Sequence, residues 1–308
     1  EQEMRKILVI RGGALGDFIL TLPVLAALRG RFPQHAIEIL GYPQIASLAV
    51  AGGLADGVSA LECPPLAGLF ARNGEWAAET GNYFAGFELI VSYLHDPERI
   101  FENNVARCAS AQFIRGTHRP DESLNTHATE LLLRPLEAIG ICDADPRPRL
   151  AIEAEDADSG RLAFHPGSGS ERKNWPEHAW KELLQTLVVN SNYTFLLIGG
   201  EAEGSRCERL AAVVPAGRFV VAQGLPLVSL ARKLKGCGGF IGHDSGISHL
   251  AAALDLPGLV LWGETAEKTW RPVSDRVKLI RDPRGLAHLA VDAVWDHLKQ
   301  SRMAVSAA

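Results

Sequence analysis

Short apolar runs rich in β-branched residues alternate along the chain with segments whose apolar residues recur at helical spacing. The first run, Lys6–Arg11, is typical of a buried parallel strand, and residues 18–31 after it predict a helix. Such alternation is typical of α/β domains built on a parallel sheet. The other predicted strands are 36–41, 87–93, 161–165, 195–199, 219–222, 239–242 and 258–262. The other predicted helices are 44–51, 123–139, 176–190, 204–214 and 286–300.

The alternation stops between residues 141 and 158, where Asp, Pro, Arg and Glu are frequent, and then starts again. Such a stretch is typical of a connection between domains. The sequence therefore predicts two Rossmann-like domains, residues 1–155 and 156–285, each a doubly wound parallel sheet facing a central cleft. Residues 286–308 are expected to form a C-terminal helix. Ligands of such sheets bind beyond the carboxyl ends of the strands.

Composition narrows the class of protein. The chain has 308 residues, 47% of them hydrophobic, and a formal net charge of −5. This balance gives no basic field for phosphate binding, so nucleic acid is not expected as a partner. The five scattered cysteines form no C-x-x-C pair, which argues for a reducing compartment. Arg11 and Asp17 interrupt the N-terminal apolar stretch, and no run approaches the ~20 residues of a spanning helix. We therefore expect a cytoplasmic protein.

The turn after the first strand carries Gly13 and Gly16 at G-x-x-G spacing. Arg11 stands where the dinucleotide-binding pattern G-x-G-x-x-G needs its first glycine, so the turn does not match that pattern. Asp17 begins the next helix, where an acid can cap the helix and is favoured by the helix dipole. Asp17 can also serve as a general base at the mouth of the cleft. Both interpretations stay open.

Two turns in the second half suit a nucleotide. Ser168, Gly169 and Lys173 follow the strand 161–165, and small residues with N–H and hydroxyl donors beside a lysine suit a diphosphate. A flexible loop with a solvated lysine explains this composition equally well. Glu203 follows the strand 195–199, where its carboxylate can accept hydrogen bonds from a ribose or lie in solvent.

The turn after the strand 239–242 is the most informative. Asp244, Ser245 and Gly246 begin a helix, and His249 lies near the end of its first turn. The N–H groups at the start of a helix can bind an anion. His243 and His249 form no H-E-x-x-H pattern, so no metal site is expected. An ordinary buried or surface histidine is the alternative interpretation of His249.

Three segments, taken together and in this order, resemble glycosyltransferase family 9, the ADP-heptose:lipopolysaccharide heptosyltransferases. They are A-L-G-D with T-L-P (14–17 and 21–23), H-P-G-S-G with K-x-W-P (165–169 and 173–176), and D-S-G-x-x-H-L-A-A-A-L (244–254). The resemblance covers nearly the whole chain. It implies the GT-B fold, with the donor held mainly by the second domain and the last helix crossing back to the first.

The resemblance also implies roles. Asp17 corresponds to the proposed general base of an inverting transfer that uses no metal and no cofactor, the nucleotide-sugar being a substrate. ADP-heptose is the implied donor, and a lipopolysaccharide-core or related glycan is the implied acceptor. A lipid-linked acceptor would bring peripheral membrane contact on the cytoplasmic face of the inner membrane. The implied donor-binding residues are Gly13, Ser168, Gly169, Lys173, Glu203, Val228, Asp244, Ser245, Gly246 and His249.

Two positions depart from the family pattern. Glu264 stands where the family usually has proline. Gly13 and Ala14 stand where the family has small or hydroxyl residues before Leu15, which removes possible hydrogen bonds to the donor. Both changes bear on which sugar and nucleotide are accepted. Two alternatives stay open: a GT-B sugar-nucleotide enzyme such as an epimerase, and a catalytically silent nucleotide-sugar-binding scaffold.

Overall fold

The computed structural model describes residues 5–170, 173–200 and 204–301. The chain divides into two compact units, Glu1–Ala151 and Ile152–Ala308, which we call the first unit and the second unit. The division falls within the predicted connection, close to the predicted boundary after residue 155. Each unit has its own sheet and its own core.

The first unit is built on five strands with helices between them. The strands are β1 Lys6–Arg11, β2 Ala36–Gly41, β3 Gly57–Ala60, β4 Leu89–Ser92 and β5 Gln112–Arg115. The helices are α1 Leu15–Ile19, α2 Leu22–Arg31, α3 Pro43–Ala51, α4 Ala78–Ala85, α5 Ile100–Ala106 and α6 Ala128–Leu133. Short 3-10 helices cover Pro64–Phe70, Glu122–Leu124 and Arg134–Ile139.

The second unit repeats this plan with six strands. The strands are β6 Asp158–His165, β7 Thr194–Gly199, β8 Phe219–Gln223, β9 Cys237–His243, β10 Gly258–Leu261 and β11 Val277–Ile280. The helices are α7 Glu177–Asn190, α8 Gly204–Ala211, α9 Leu227–Lys235, α10 Gly246–Ala253, α11 Glu267–Trp270 and α12 Val291–Gln300. A 3-10 turn covers Leu286–His288.

Both sheets are parallel throughout, which confirms the predicted doubly wound α/β class. The strand order is β3-β2-β1-β4-β5 in the first unit and β11-β10-β9-β6-β7-β8 in the second. In each sheet the chain first builds outward on one side and then returns to continue beside its first strand. The reversal lies between β1 and β4 and between β6 and β9, and ligands of such sheets bind at the carboxyl ends of strands at that point.

The predicted helix over 18–31 is wrong as one element, because the structure has α1 and α2 separated at Leu20 and Thr21. Two features end α1. The Thr21 hydroxyl donates to the carbonyl oxygen of Asp17 at 2.8 Å. Pro23, in the first turn of α2, has no N–H to donate to a carbonyl of α1.

The predicted helix over 123–139 is also interrupted. Its α-helical part begins only at Ala128, because the His127 ring accepts the N–H of Thr129 as an N-cap. Pro135 lacks the N–H that would continue the helix, and the chain goes on as a 3-10 helix. Three strands, β3, β5 and β11, were not predicted from the sequence. Each is four residues long and lies at the edge of its sheet.

The last predicted helix begins later than expected, since α12 starts at Val291 after a 3-10 turn. Val294 and Leu298 of α12 are buried in the core of the second unit with Trp180 and Leu184 of α7. The idea that this helix also reaches the first unit stays a prediction. Within the described part of the chain, no helix has the length and apolar character needed to cross a membrane.

A charged cluster joins α7 to α8. Arg209 binds the Glu177 carboxylate through Nε at 2.9 Å and Nη2 at 2.7 Å, and Lys181 Nζ lies 3.0 Å from it. These hydrogen bonds, with Arg209 contributing most, lower the pKa of Glu177 to about 2. A carboxylate with a lowered pKa stabilises the fold at neutral pH, and this contribution disappears as the pH falls from the unfolded-state value toward the folded-state pKa.

We therefore expect Glu177→Gln to lower the free energy of unfolding by about 1 kcal/mol at neutral pH, because the pair is partly exposed and screened by solvent. The difference from wild type should shrink as the pH falls from about 5 to about 3. Urea unfolding across this range measures it. Glu182→Gln, at an exposed position of the same helix, is the control. A difference that stays constant with pH would contradict the assignment.

Candidate functional site

The carboxyl ends of three adjacent strands in the second unit bring six of the predicted donor residues to one edge of the sheet: Ser168, Gly169, Lys173, Asp244, Ser245 and Gly246. These strands are β6, β9 and β10. His165 at the end of β6 lies in register with Gly242, one residue before the end of β9. Residues 166–170 and 173–175 follow β6, the turn at Asp244 follows β9, and the turn at 263–266 follows β10. The site therefore lies at the reversal of strand order, where such sheets bind ligands.

An ion pair connects two of these loops. Lys173 Nζ donates to Asp244 Oδ2 at 2.7 Å, and Thr265 Oγ1 donates to the same oxygen at 2.6 Å. The Asp244 side chain is only 10% exposed, whereas that of Lys173 is 42% exposed. The carboxylate thus holds an accessible ammonium group in place at the edge of the sheet. Such a group can neutralise phosphate charge.

The start of α10 faces the same edge. Ser245 is the N-cap residue, and Gly246 is the first residue of the helix. The first N–H groups of a helix lack intrahelical partners and favour an anion. His165 Nδ1 lies 3.2 Å from Ser245 Oγ. Burial lowers the pKa of His165 to about 3, so this imidazole is neutral at physiological pH.

Ser168 and Gly169 lie in the same loop after β6 as Lys173, but their surroundings differ from those of Lys173. Ser168 is buried, and its hydroxyl lies 2.8 Å from both the Ser170 carbonyl oxygen and Asn174 Oδ1. This hydroxyl therefore shapes the loop. Gly169 is exposed, and a Cβ there would meet no atom within 4 Å. No steric requirement for glycine exists at that position.

The remaining predicted donor residues lie elsewhere, Gly13 among them in the turn before α1 of the first unit. His249 is buried on α10, and Val228 is half-buried in the first turn of α9. Glu203 lies outside the described residues. In the described ranges, no group of three or more His, Cys, Asp or Glu side chains has an arrangement that could hold a metal ion.

Asp17 lies in the first unit, in the first turn of α1, which follows β1. Its Oδ2 accepts the N–H of Ala14 at 3.1 Å, so the predicted capping role is present. Its side chain is nevertheless 36% exposed. Gly13, before the helix, has a φ of 98°, and a Cβ there would approach Asp17 Oδ2 to 2.9 Å. Only glycine combines this backbone with an unobstructed carboxylate.

A buried arginine lies beside Asp17. The Arg11 side chain is 3% exposed, and its Nη2 is 3.9 Å from Asp17 Oδ1 and 3.3 Å from the Asp17 carbonyl oxygen. Nη1 donates to the carbonyl oxygen of His118 at 2.9 Å. Burial lowers the pKa of Arg11, and Asp17 opposes this effect. The guanidinium and the carboxylate thus form an ion pair with one buried and one partly exposed partner.

Two exposed histidines also lie at this edge of the first unit, each three residues beyond the end of its strand, β4 beside β1 and β5 beside β4. His95 Nδ1 and His118 Nδ1 are 3.4 Å apart, and the centroids of the two rings are 4.4 Å apart. The pKa of His118 is lowered by burial first and then by the neighbouring His95, Arg11 and Arg119. Each unit therefore has its own polar edge at its reversal of strand order.

Three of these residues have no signal in the sequence that marks them as site residues. Arg11 interrupts the N-terminal apolar stretch and a glycine pattern, and His165 ends a predicted strand and begins the H-P-G-S-G segment. Thr265 has no signal beyond its place next to Glu264. Thr265 follows β10, and β10 lies beside β9. Knowledge of the strand order would therefore have placed Thr265 near Asp244.

Comparison with known proteins adds a family. Residues 128–291, more than half of the chain, match the family model of glycosyltransferase family 9 (heptosyltransferase). Lipopolysaccharide heptosyltransferase 1 of Pseudomonas aeruginosa is 35% identical over 152 residues. That alignment covers 49% of this chain and 41% of the relative, so the chain matches less than half of the relative's length.

Solved structures match both units. The structure of Escherichia coli ADP-heptose lipopolysaccharide heptosyltransferase II aligns with a TM-score of 0.77 at 15% identity, covering 96% of this chain and 98% of that one. An Escherichia coli heptosyltransferase with ADP aligns with a TM-score of 0.74 at 21% identity, covering 96% and 99%. These similarities confirm the fold, and the family match confirms the resemblance found in the three sequence segments. The chain belongs to glycosyltransferase family 9, the heptosyltransferase family.

Proposed function

We propose that this protein is an inverting, metal-independent glycosyltransferase that transfers a heptose from ADP-heptose to a lipopolysaccharide-core or related glycan. The observation that carries the proposal is the Lys173–Asp244 pair, 2.7 Å apart, beside the start of α10. An ammonium group and helical N–H donors at one edge form a site for a diphosphate. The named relative and the named structural neighbours support heptose and ADP as the sugar and nucleotide.

The donor is proposed to bind through its diphosphate at Lys173, Ser245 and Gly246. Asp244 and His249 would contact the sugar, and Val228 would lie against the adenine. Glu203 is proposed for the ribose on the resemblance alone. Thr265 joins this set because it shares an oxygen of Asp244 with Lys173. No resident cofactor takes part, since the nucleotide-sugar is a substrate.

The proposed reaction is a single displacement. The acceptor hydroxyl oxygen forms a bond to the anomeric carbon while the bond from that carbon to the diphosphate oxygen breaks. The electron pair of the broken bond leaves with ADP, and the hydroxyl proton goes to Asp17. The Asp17 carboxylate, paired with Arg11 and partly exposed, is proposed as the general base that accepts this proton. Lys173 and the N–H groups of α10 would stabilise the charge on the leaving diphosphate.

The acceptor is proposed to bind the first unit, where Asp17, His95 and His118 lie at the edge of the sheet. A lipid-linked acceptor would place the protein at the cytoplasmic face of the inner membrane through peripheral contact.

Thermal unfolding with ADP, UDP and GDP tests the donor site. We expect ADP to stabilise the protein most, by about 2.7 kcal/mol at a hundredfold excess over its dissociation constant. Stabilisation by UDP or GDP alone would overturn the choice of ADP. Absence of stabilisation by any nucleotide would overturn the proposed donor site and favour a scaffold. Production of an isomerised nucleotide-sugar without acceptor would favour the epimerase alternative.

A further inference from the structure

His243, the last residue of β9, contacts both ends of the loop that carries Lys173. It is fully buried, with an exposed fraction of 0%. The Trp175 backbone N–H donates to His243 Nε2 at 2.8 Å, near the end of this loop. His243 Nδ1 lies 3.3 Å from the carbonyl oxygen of Gly167, near its beginning. One imidazole thus bridges two points of the loop from the neighbouring strand.

These partners determine the form of the ring. A backbone N–H only donates, so Nε2 must accept and carries no proton. A carbonyl oxygen only accepts, so Nδ1 must carry the proton. His243 is therefore a neutral imidazole of one defined tautomer. No other side chain of similar size offers an acceptor and a donor at these two positions with a rigid ring between them.

The surroundings of the ring hold it in this orientation. The Trp180 ring of α7 packs edge-on against it at 5.3 Å. Ser248 of α10 donates its hydroxyl to the His243 carbonyl oxygen. Trp175 is fixed in turn, since its indole Nε1 donates to the carbonyl oxygen of Leu289 at 2.9 Å. The contact between β9 and the loop is therefore part of a rigid core.

The position of Lys173 depends on this contact. Lys173 lies two residues before Trp175, and its partner Asp244 directly follows His243. The 2.7 Å ion pair therefore spans two segments that are already joined by the imidazole one or two residues away. Without that connection the loop has more conformations available, and ordering it for a ligand costs free energy.

We propose that His243 is a positioning residue for the nucleotide diphosphate: its neutral imidazole ties Gly167 and Trp175 to the end of β9 and so holds Lys173 against Asp244. The proposal rests on the proposed function, because it concerns the same diphosphate site. His243 itself does not touch the donor and acts through Lys173.

Matched substitutions separate the hydrogen bonds from the volume of the side chain. His243→Gln and His243→Met have nearly the same length, but only glutamine can accept the Trp175 N–H. His243→Phe keeps a ring and removes both bonds. We expect the dissociation constant for ADP, measured by calorimetry, to rise about tenfold in the Met and Phe variants. The Gln variant should stay within about threefold of wild type, because it keeps the stronger bond.

The Lys173→Met background distinguishes a role of His243 through Lys173 from a merely structural role. If His243 acts through Lys173, His243→Phe should change ADP affinity by less than about twofold in the Lys173→Met background. Hydrogen exchange of the Trp175 amide, without any ligand, should be faster in the Met and Phe variants than in the Gln variant. Trp180→Phe is the control, because it alters packing against the ring and leaves both loop bonds in place.

The possible outcomes are distinct. Equal ADP affinity in wild type and in the His243 variants would overturn the positioning role and leave the proposed function standing. An equal loss in the presence and absence of Lys173 would also overturn it. Equal ADP affinities of His243→Gln and His243→Met would show that packing, and not the hydrogen bond to Trp175, causes the effect. This comparison tests the proposal even if His243→Phe fails to fold. Failure of wild type to bind ADP would overturn the proposed function and this inference together.

Discussion

Asp17→Asn is expected to reduce glycosyl transfer by about 10²- to 10⁴-fold, the usual contribution of a general base. Asparagine has the same shape, and its Oδ1 can still accept the Ala14 N–H that caps α1 at 3.1 Å. It cannot take a proton from the acceptor hydroxyl. The substitution therefore separates the two roles that the sequence leaves open for Asp17. Initial rates at saturating donor and acceptor measure the effect.

The donor site serves as the internal reference for this experiment. ADP affinity should stay within about twofold of wild type, because Asp17 is proposed to act on the acceptor. Asp121→Asn is the matched control, since Asp121 also caps a helical turn in the first unit, by accepting the Ser123 N–H at 2.9 Å. Its activity should match wild type. Wild-type turnover in Asp17→Asn would eliminate the catalytic role and leave only the cap.

Lys173→Met is expected to weaken ADP binding by about 10- to 100-fold, because a hydrogen bond to a charged group contributes roughly 1.5–3 kcal/mol. The loss should grow with the number of phosphates, from adenosine through AMP to ADP. Asp244 would keep Thr265 as a partner but lose the ion pair. Calorimetric titration with the three ligands measures this gradient.

Lys181→Met is the matched control for charge. Lys181 pairs with Glu177 at 3.0 Å on α7, so its removal changes the net charge equally without touching the proposed diphosphate site. We expect unchanged ADP affinity in that variant. An equal loss for adenosine and ADP in Lys173→Met would show that the lysine does not contact phosphate.

The regular parts of the fold were readable from the sequence because their signals are local. The buried runs at β1 and β9 are apolar on both faces, as strands covered by helices must be. The edge strands β3 and β11 were not predicted because they are partly exposed and give no continuous apolar run, whereas the equally short β4 and β10 are fully buried. The break between α1 and α2 depends on the Thr21 hydroxyl, whose use no periodicity shows.

The separate turns of the site could be identified from the sequence, but the contacts between them could not. Lys173, Asp244 and Ser245 were identified because glycine-containing turns after strands have a known chemistry. His243 was considered only as a metal ligand, because its partners Gly167 and Trp175 are distant in sequence. Arg11 was missed for the same reason, since its contact with His118 joins residues 107 positions apart. Only the order of the strands brings such residues together.

The buried guanidinium of Arg11 also bears on how the proposed catalytic cycle would close. Transfer of the acceptor proton to Asp17 would neutralise its carboxyl, and the cation 3.9 Å away would lose its counter-charge. A buried cation without a counter-ion is unfavourable. Release of the proton to water from the exposed part of the Asp17 side chain would restore the ion pair. The arginine beside the proposed base would thus also contribute to resetting the site between turnovers.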